Sequence, residues 1–246
     1  MTARAAAPWL LLAVPLAVFA ALFVLPLGNM LLLSLQSFDR TTGATGGLTL
    51  NNYVKFLGDG FYLGVLWRTL KLAALTTCVT LVLGYPVAFH LHLSSGRRRA
   101  YLTLLILAPL LISVVVRSFG WLVILGPNGL VNSALGAAGV VSEPLRLLYT
   151  ESAIVLGLTH VFLSFMVLSI ATALGRIDPA VVRAAQSLGA NPVQTFLRVV
   201  LPLSLPGVAA GSLIVFTLSM SAFITPSLLG GPRVKVMRPR IVGDDA

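Results

Sequence analysis

Five stretches of this chain, residues 8–35, 65–93, 101–125, 154–174 and 203–229, are apolar almost without interruption. A membrane crossing needs about 20 such residues to span about 30 Å of hydrocarbon, where backbone N–H and C=O groups find no water to bond. A helix bonds all of them internally. The sequence therefore predicts an all-α fold: a polytopic membrane helical bundle of about five transmembrane helices. Charge agrees with this. Only 10% of the 246 residues are charged, against about a quarter in a soluble domain, and 57% are apolar. An ordinary soluble enzyme, a disordered chain and a disulfide scaffold are excluded. The single cysteine, Cys78, lies within an apolar run and has no partner for an intrachain bridge.

The net charge of +10 raises nucleic acid as a partner, but the basic residues stand in short clusters between apolar runs, where Lys and Arg act as topology signals. No nucleic acid is expected. Gly96-Arg97-Arg98-Arg99 is the strongest cytoplasmic marker. It places the N-terminus with Arg4 inside, 36–64 and 126–152 as outer loops, and 175–205 back in the cytoplasm. Arg233, Lys235, Arg238 and Arg240 then fall outside, against the rule. Residues 8–35 are too long for a signal-peptide core and read as a retained first span. Pro15, Pro26, Pro86, Pro109 and Pro226 each remove a backbone donor within a span and predict kinks. Such bends suit a transport role and the general tolerance of membrane helices for proline equally well.

The segment from Arg176 to Gly207 carries the clearest punctuation. Asp178 followed by Pro179 predicts a helix start, Gly189 a left-handed helix end, and Asn191-Pro192 a second start running toward Pro202. This predicts a helix, an elbow and a second helix between the fourth and fifth spans. On the first helix Val181, Ala185 and Leu188 share a stripe, and Arg183 and Gln186 lie off it. On the second, Val193, Phe196 and Val200 share a face. Periodicity alone suits an amphipathic helix resting on the lipid surface, whereas two caps around a glycine elbow suit a rigid projection.

Ala184-Ala185, three residues, Gly189, nine residues, then Val199-Val200-Leu201-Pro202 resembles the EAA motif of binding-protein-dependent ABC importer permeases. The spacing matches throughout. Arg183 stands where that family has Glu, reversing a charge, and Val199 where it has Ile. Pro144-Leu145-Arg146-Leu147-Leu148-Tyr149-Thr150-Glu151 and Ser227-Leu228-Leu229-Gly230-Gly231 are similar to the spermidine/putrescine subgroup.

The resemblance implies a bacterial inner-membrane permease that passes a polyamine-like solute delivered by an external binding protein. It would work with a second permease subunit and two cytoplasmic ATPase subunits. The elbow would be the coupling helix that docks on the ATPase, with Arg183, Ala184, Ala185, Gln186, Gly189, Leu201 and Pro202 as its signature. The permease domain would occupy 1–229, with the coupling loop at about 175–205 and a short basic tail at 230–246. Members of that family usually continue into a sixth span after the Gly-Gly-Pro loop. Here the tail stands in its place, and a truncated or frame-altered end is the expectation.

No catalytic residue, metal or cofactor is expected in this chain, and ATP and Mg belong to the partner ATPase. A phosphate-binding loop needs Gly-Lys-Ser/Thr, and Lys55, Lys71 and Lys235 all lack the glycine. A membrane-embedded enzyme would need convergent acids, bases or ligands, which seven scattered carboxylates do not offer. His90 and His92 are two apart on a helix and face different ways, and His160 lies alone. A polycation favours carboxylates or aromatic rings. Tyr149 and Glu151 are the pathway candidates, with interfacial anchor and helix cap as their structural alternatives. Thr217, Ser219, Ser221 and Thr225 either line a passage or bond to helix backbone. Two rival functions stand beside the polyamine permease: a remnant that binds partners without transport, and a permease for another small solute.

Overall fold

The computed structural model describes residues 12–38 and 45–231. Arg4, Arg40 and the basic residues of the tail lie outside the described residues. The rest form two compact units divided at Gly64/Val65, within the region expected to be one permease domain.

The first unit begins with α1 (Leu12–Ser34). A two-stranded antiparallel hairpin follows, β1 (Gln36–Phe38) with β2 (Thr45–Leu48), and then α2 (Asn51–Gly58). Asn52 holds the turn by donating to the carbonyls of Ser34 and Gln36, each at 2.9 Å, and Tyr53 bonds Ser34 Oγ at 2.7 Å. The Gly- and Thr-rich segment read as plain loop therefore carries structure.

Helix α3 (Gly60–Leu93) leads into the second unit. After it come α4 (Gly96–Leu111), α5 (Val114–Leu125), α6 (Leu130–Ala137) and α7 (Glu151–Leu174). The chain then forms the elbow helix α8 (Pro179–Ser187), the long α9 (Pro192–Ser221) and the short α10 (Ile224–Gly230). Among the described residues, five helical segments are long and apolar enough to cross a membrane, α1, α3, α5 with α6, α7 and α9. The predicted fold class and span count agree with this.

Helix α7 is the axis of the second unit: 61% of its apolar window is buried, about twice the share in any other span. It contributes to two apolar clusters. Met166, Val167, Ile170 and Leu174 pack with Ala88, Leu91, Val200 and Val215 toward its C-terminal end. Ala153, Ile154 and Leu158 pack with Leu72, Leu125 and Leu229 toward its N-terminal end. Helix α9 lies against α7 along a small-residue face, Ser204, Gly207, Gly211, Val215 and Ser219, all buried. A Cβ on Gly207 would strike Ala173 and sit 2.8 Å from the Ser169 carbonyl oxygen. Small residues of this kind let two backbones approach, since lipid supplies no hydrophobic drive to hold helices together.

The third and fifth spans differ most from the sequence reading, and proline has a part in both. The run 101–125 is two helices, α4 and α5, separated where Ile112 and Ser113 turn extended. Pro109 lies in the last turn of α4 and withdraws a donor there. Buried Arg117 donates to the carbonyls of Pro109 and, at 3.4 Å, of Ile112, so its cation supplies the bonds the break removes. The outer loop expected at 126–152 begins with α6, pinned by buried Asn132, which bonds Gly126 and both backbone groups of Leu145 at 2.8–3.1 Å.

The fifth run, expected at 203–229, starts eleven residues earlier and stops at Ser221. Pro226 cannot bond the Ala222 carbonyl and collides with it, so the helix breaks at Ala222 and restarts as α10. Pro202 does not end a helix, as expected, but lies within α9. The turn before it, Phe196–Val200, widens to π geometry, with Leu201 N–H bonding Phe196 C=O. The same device precedes Pro26, where Leu25 N–H bonds Ala20 C=O after a π turn. Widening the turn moves the carbonyl four residues back away from the proline ring.

Candidate functional site

The elbow between α7 and α9 is built from local chemistry. Asp178 Oδ1 accepts from Ala180 N–H at 2.8 Å, and Pro179 takes the first helical position, where its missing N–H costs nothing. At the other end Gly189 N–H donates to Gln186 C=O at 3.0 Å and Ala190 N–H to Ala185 C=O at 3.1 Å. This pair of bonds is a Schellman cap, and Gly189 adopts the left-handed conformation it requires, with φ +85°. Asn191 and Gln194 then form a reciprocal capping box at 2.8 and 3.0 Å, with Pro192 beginning α9. All three punctuation marks read from sequence stand in the structure.

Past the box, Phe196 packs edge-on against Tyr85 and Phe89, ring centroids 5.7 and 5.4 Å away. Tyr85 OH bonds buried Ser204 Oγ at 2.8 Å. The second helix is therefore no separate piece between spans; it is the first turns of the fifth span, anchored to α3. Its inward face is Thr195, Phe196 and Val200, whereas Val193 is exposed.

The stripe assigned to α8 also turns differently. Val182 and Ala185 are half-buried, with Val182 against the core, while Val181 is 45% and Leu188 90% exposed. Two apolar stripes sit side by side on this short helix, and periodicity alone does not say which faces in. The outward face presents Val181, Ala184 and Leu188, flanked by Arg183 and Gln186, all exposed. Gly189 is exposed at the tip. Leu201 and Pro202 lie beyond the π turn in α9, away from the elbow tip.

The pathway candidates sit at the other end of α7, about 36 Å along the axis for 24 residues. Thr150, not Glu151, caps α7, its Oγ1 accepting from Ala153 N–H at 3.2 Å. Glu151 pairs with Lys71 at 2.7 Å and Arg68 at 3.6 Å. Tyr149 has φ +61°, donates its N–H to Leu229 C=O at 2.9 Å, and lays its ring against Gly231. The two side chains thus engage different neighbours. Glu151→Gln should lower stability by less than about 1 kcal/mol, because all three partners are a third or more exposed. Thermal unfolding at low and high salt checks this, the difference shrinking as salt rises.

Among the described residues no three His, Cys, Asp or Glu gather as a metal site. His90 Nε2 lies 2.8 Å from Arg98, and His160 Nδ1 accepts from Trp121 Nε1 at 3.3 Å. Ser221 bonds its own helix at Thr217 C=O, and Thr225 approaches Ser118 Oγ at 3.3 Å. Ser219 Oγ is buried with no hydrogen-bond partner among the described residues, beside a cavity of about 20 Å³ that Thr69 also lines, room for about one water. Sequence reasoning missed Asn132, the role of Arg117 and the outward placement of Leu188. Proximity of Pro109 to Arg117 was the only local signal for any of them.

No protein-family model matches the chain. The spermidine/putrescine permease protein PotB of Haemophilus influenzae is 37% identical over 187 residues, 76% of this chain and 65% of that protein. PotB of Escherichia coli K12 is 36% identical over 75% of this chain and 67% of its own length. The inner membrane ABC transporter permease protein YdcU of Escherichia coli K12 is 33% identical over 242 residues, 91% of this chain and 75% of that protein. The chain belongs to the ABC importer permeases. This permease spans about two thirds of the length of the PotB relatives. Its fold is shared with two solved structures of a bacterial alginate ABC transporter, at TM-scores of 0.73 and 0.74, 20% identity and 92% coverage of this chain. They are covered to 79% and 78%.

Proposed function

We propose that this permease passes a polyamine-like solute, delivered by an external binding protein, through a complex with a second permease subunit and separate ATPase subunits that bind ATP and Mg. The reading places the N-terminus and the elbow in the cytoplasm and the N-terminal end of α7 outside. PotB relatives support the solute class, and a structural neighbour solved with a periplasmic protein carrying alginate pentasaccharide supports the mode of delivery.

The observation that carries the coupling role is the continuity of α9 with the elbow. A doubly capped tip, with Leu188 90% exposed, leads through the capping box directly into a 30-residue span. Arg183, Ala184, Gln186 and Gly189 stand at the docking surface. Ala185 backs that surface against the bundle, and Leu201 and Pro202 form the stem. A stiff stem carries displacement into the membrane, whereas a slack loop would absorb it.

Solute selection falls to the binding protein. The charge of Glu151 is held by Lys71 and Arg68, so the mouth offers a polycation little net attraction. The test is uptake by proteoliposomes holding the assembled complex and internal ATP. Labelled spermidine or putrescine should accumulate only with ATP and the binding protein present. ATP-dependent uptake of a different solute instead would overturn the polyamine assignment, and ATPase binding without any uptake would leave the partner-binding remnant in its place.

A further inference from the structure

We propose that the groove between α3 and α4, with Arg97, Arg98 and Arg99 at its end, binds one anionic glycerophospholipid: acyl chain in the groove, phosphate on the arginines. The groove has a volume of about 390 Å³ and a wall that is apolar apart from His90 at its rim. Pro86, Val87 and Leu91 of α3 form one side, and Leu102, Leu105 and Ile106 of α4 the other. Leu105 is 71% exposed, so within a membrane this wall meets hydrocarbon.

The three arginines are consecutive, exposed and on the first turn of α4. Among the described residues none of them makes an ion pair with a carboxylate, since the ion pairs there are those of Glu151 with Lys71 and Arg68. Leu102 follows Arg99 by three residues, about 4.5 Å along the helix, so charge and apolar wall are continuous. Arg98 reaches across to His90 Nε2 at 2.8 Å, which holds that guanidinium at the rim of the groove, where His90 also lines the wall. Tyr101, 70% exposed one turn later, is the type of residue that settles at the headgroup level.

A topology signal alone asks only for cations in a short loop. Here they lie on a helix, in the turn where cations are least favoured by the peptide dipoles. An anion placed there relieves both the mutual repulsion and the dipole. A basic cluster at the end of an apolar channel between two helices matches the two halves of a phospholipid.

The experiment is native mass spectrometry of the full chain, within its assembled complex, released from bilayers of equal parts phosphatidylglycerol and phosphatidylcholine. Each basic side chain near an anionic headgroup contributes about fivefold, so three should enrich retained phosphatidylglycerol on the order of 100-fold. Substituting all three by glutamine should bring the ratio close to parity, and substituting all three by lysine should keep most of it, which controls for insertion. Leu105→Trp should reduce retained lipid while leaving the complex assembled. Three results would overturn the proposal: an unchanged ratio in the glutamine variant, full lipid retention by Leu105→Trp, or cross-linking from Leu105→Cys to a second permease chain that fills the groove.

Discussion

Leu188→Gln should weaken association of the proposed ATPase subunits with this permease by roughly 30-fold while the chain still inserts and folds. Leu188 is 90% exposed at the end of α8, one residue before the Gly189 turn, and makes no part of either core cluster. Its removal costs the folded chain next to nothing. Burying such a side chain in a partner's groove is worth about 2 kcal/mol, and 1.4 kcal/mol is tenfold in affinity. Glutamine has good helix propensity and no charge, so the caps around it remain intact. Co-purification and titration of ATPase onto the reconstituted permease measure the effect. Leu188→Met, which keeps the apolar contact, should bind almost as the parent does. Equal binding by the glutamine variant would mean that the elbow's exposed face is not the docking surface.

Gly207→Leu should destabilise the permease by about 3 kcal/mol or more, toward the upper end of what overpacking costs. Its Cβ alone would meet Ala173 and lie 2.8 Å from the Ser169 carbonyl oxygen and 3.3 Å from Ile170 Cα. Two of those three atoms are backbone of α7 and cannot rotate away. The helices must separate, and the clusters that α7 organises loosen with them. Gly211→Ala is the graded comparison. Its nearest neighbour is the Met166 sulfur at 2.9 Å, the flexible part of an adaptable side chain, so the cost should stay near 1 kcal/mol. Gly120→Ala, with nothing within 4 Å, should be neutral or gain up to about 1 kcal/mol from helix propensity. Thermal unfolding of the three variants in one detergent should therefore rank Gly207→Leu lowest by a clear margin. If it melted with the parent, close approach of α7 and α9 would not be what holds this unit together.

The elbow shows how far the amino-acid order carries the candidate site. Asp178, Pro179, Gly189, Asn191 and Pro192 announce their roles because each acts on backbone groups two to five residues away. The spacing from Ala184 to Pro202 was likewise legible as a family signature. Pro202 was misread. A proline inside a helical run usually ends or kinks it, and nothing in the neighbouring letters reveals that a widened turn over Phe196–Val200 will carry the helix through it. Glu151 was read as a possible cap and pathway group. Its pairing with Lys71 and Arg68, 80 and 83 residues away, depends on the packing of α7 beside α3. The role of Arg117 was hidden for the same reason, since its bonds to Pro109 and Ile112 required knowing that the third apolar run breaks.

From its amino acids alone, the chain was already committed to helices in lipid, to about five crossings and to a capped elbow between the last two. Those outcomes rest on short-range demands: backbone bonds with no water to accept them, side chains that cap, and rings that exclude a donor. Packing decided which stripe of α8 points outward, where the third and fifth runs break, and that α7 is the axis on which α9 closes. Lipid is as apolar as a protein core, so an exposed leucine and a buried one look alike along a membrane helix. Only the neighbouring helices, arriving through Gly207 and Tyr85, tell them apart.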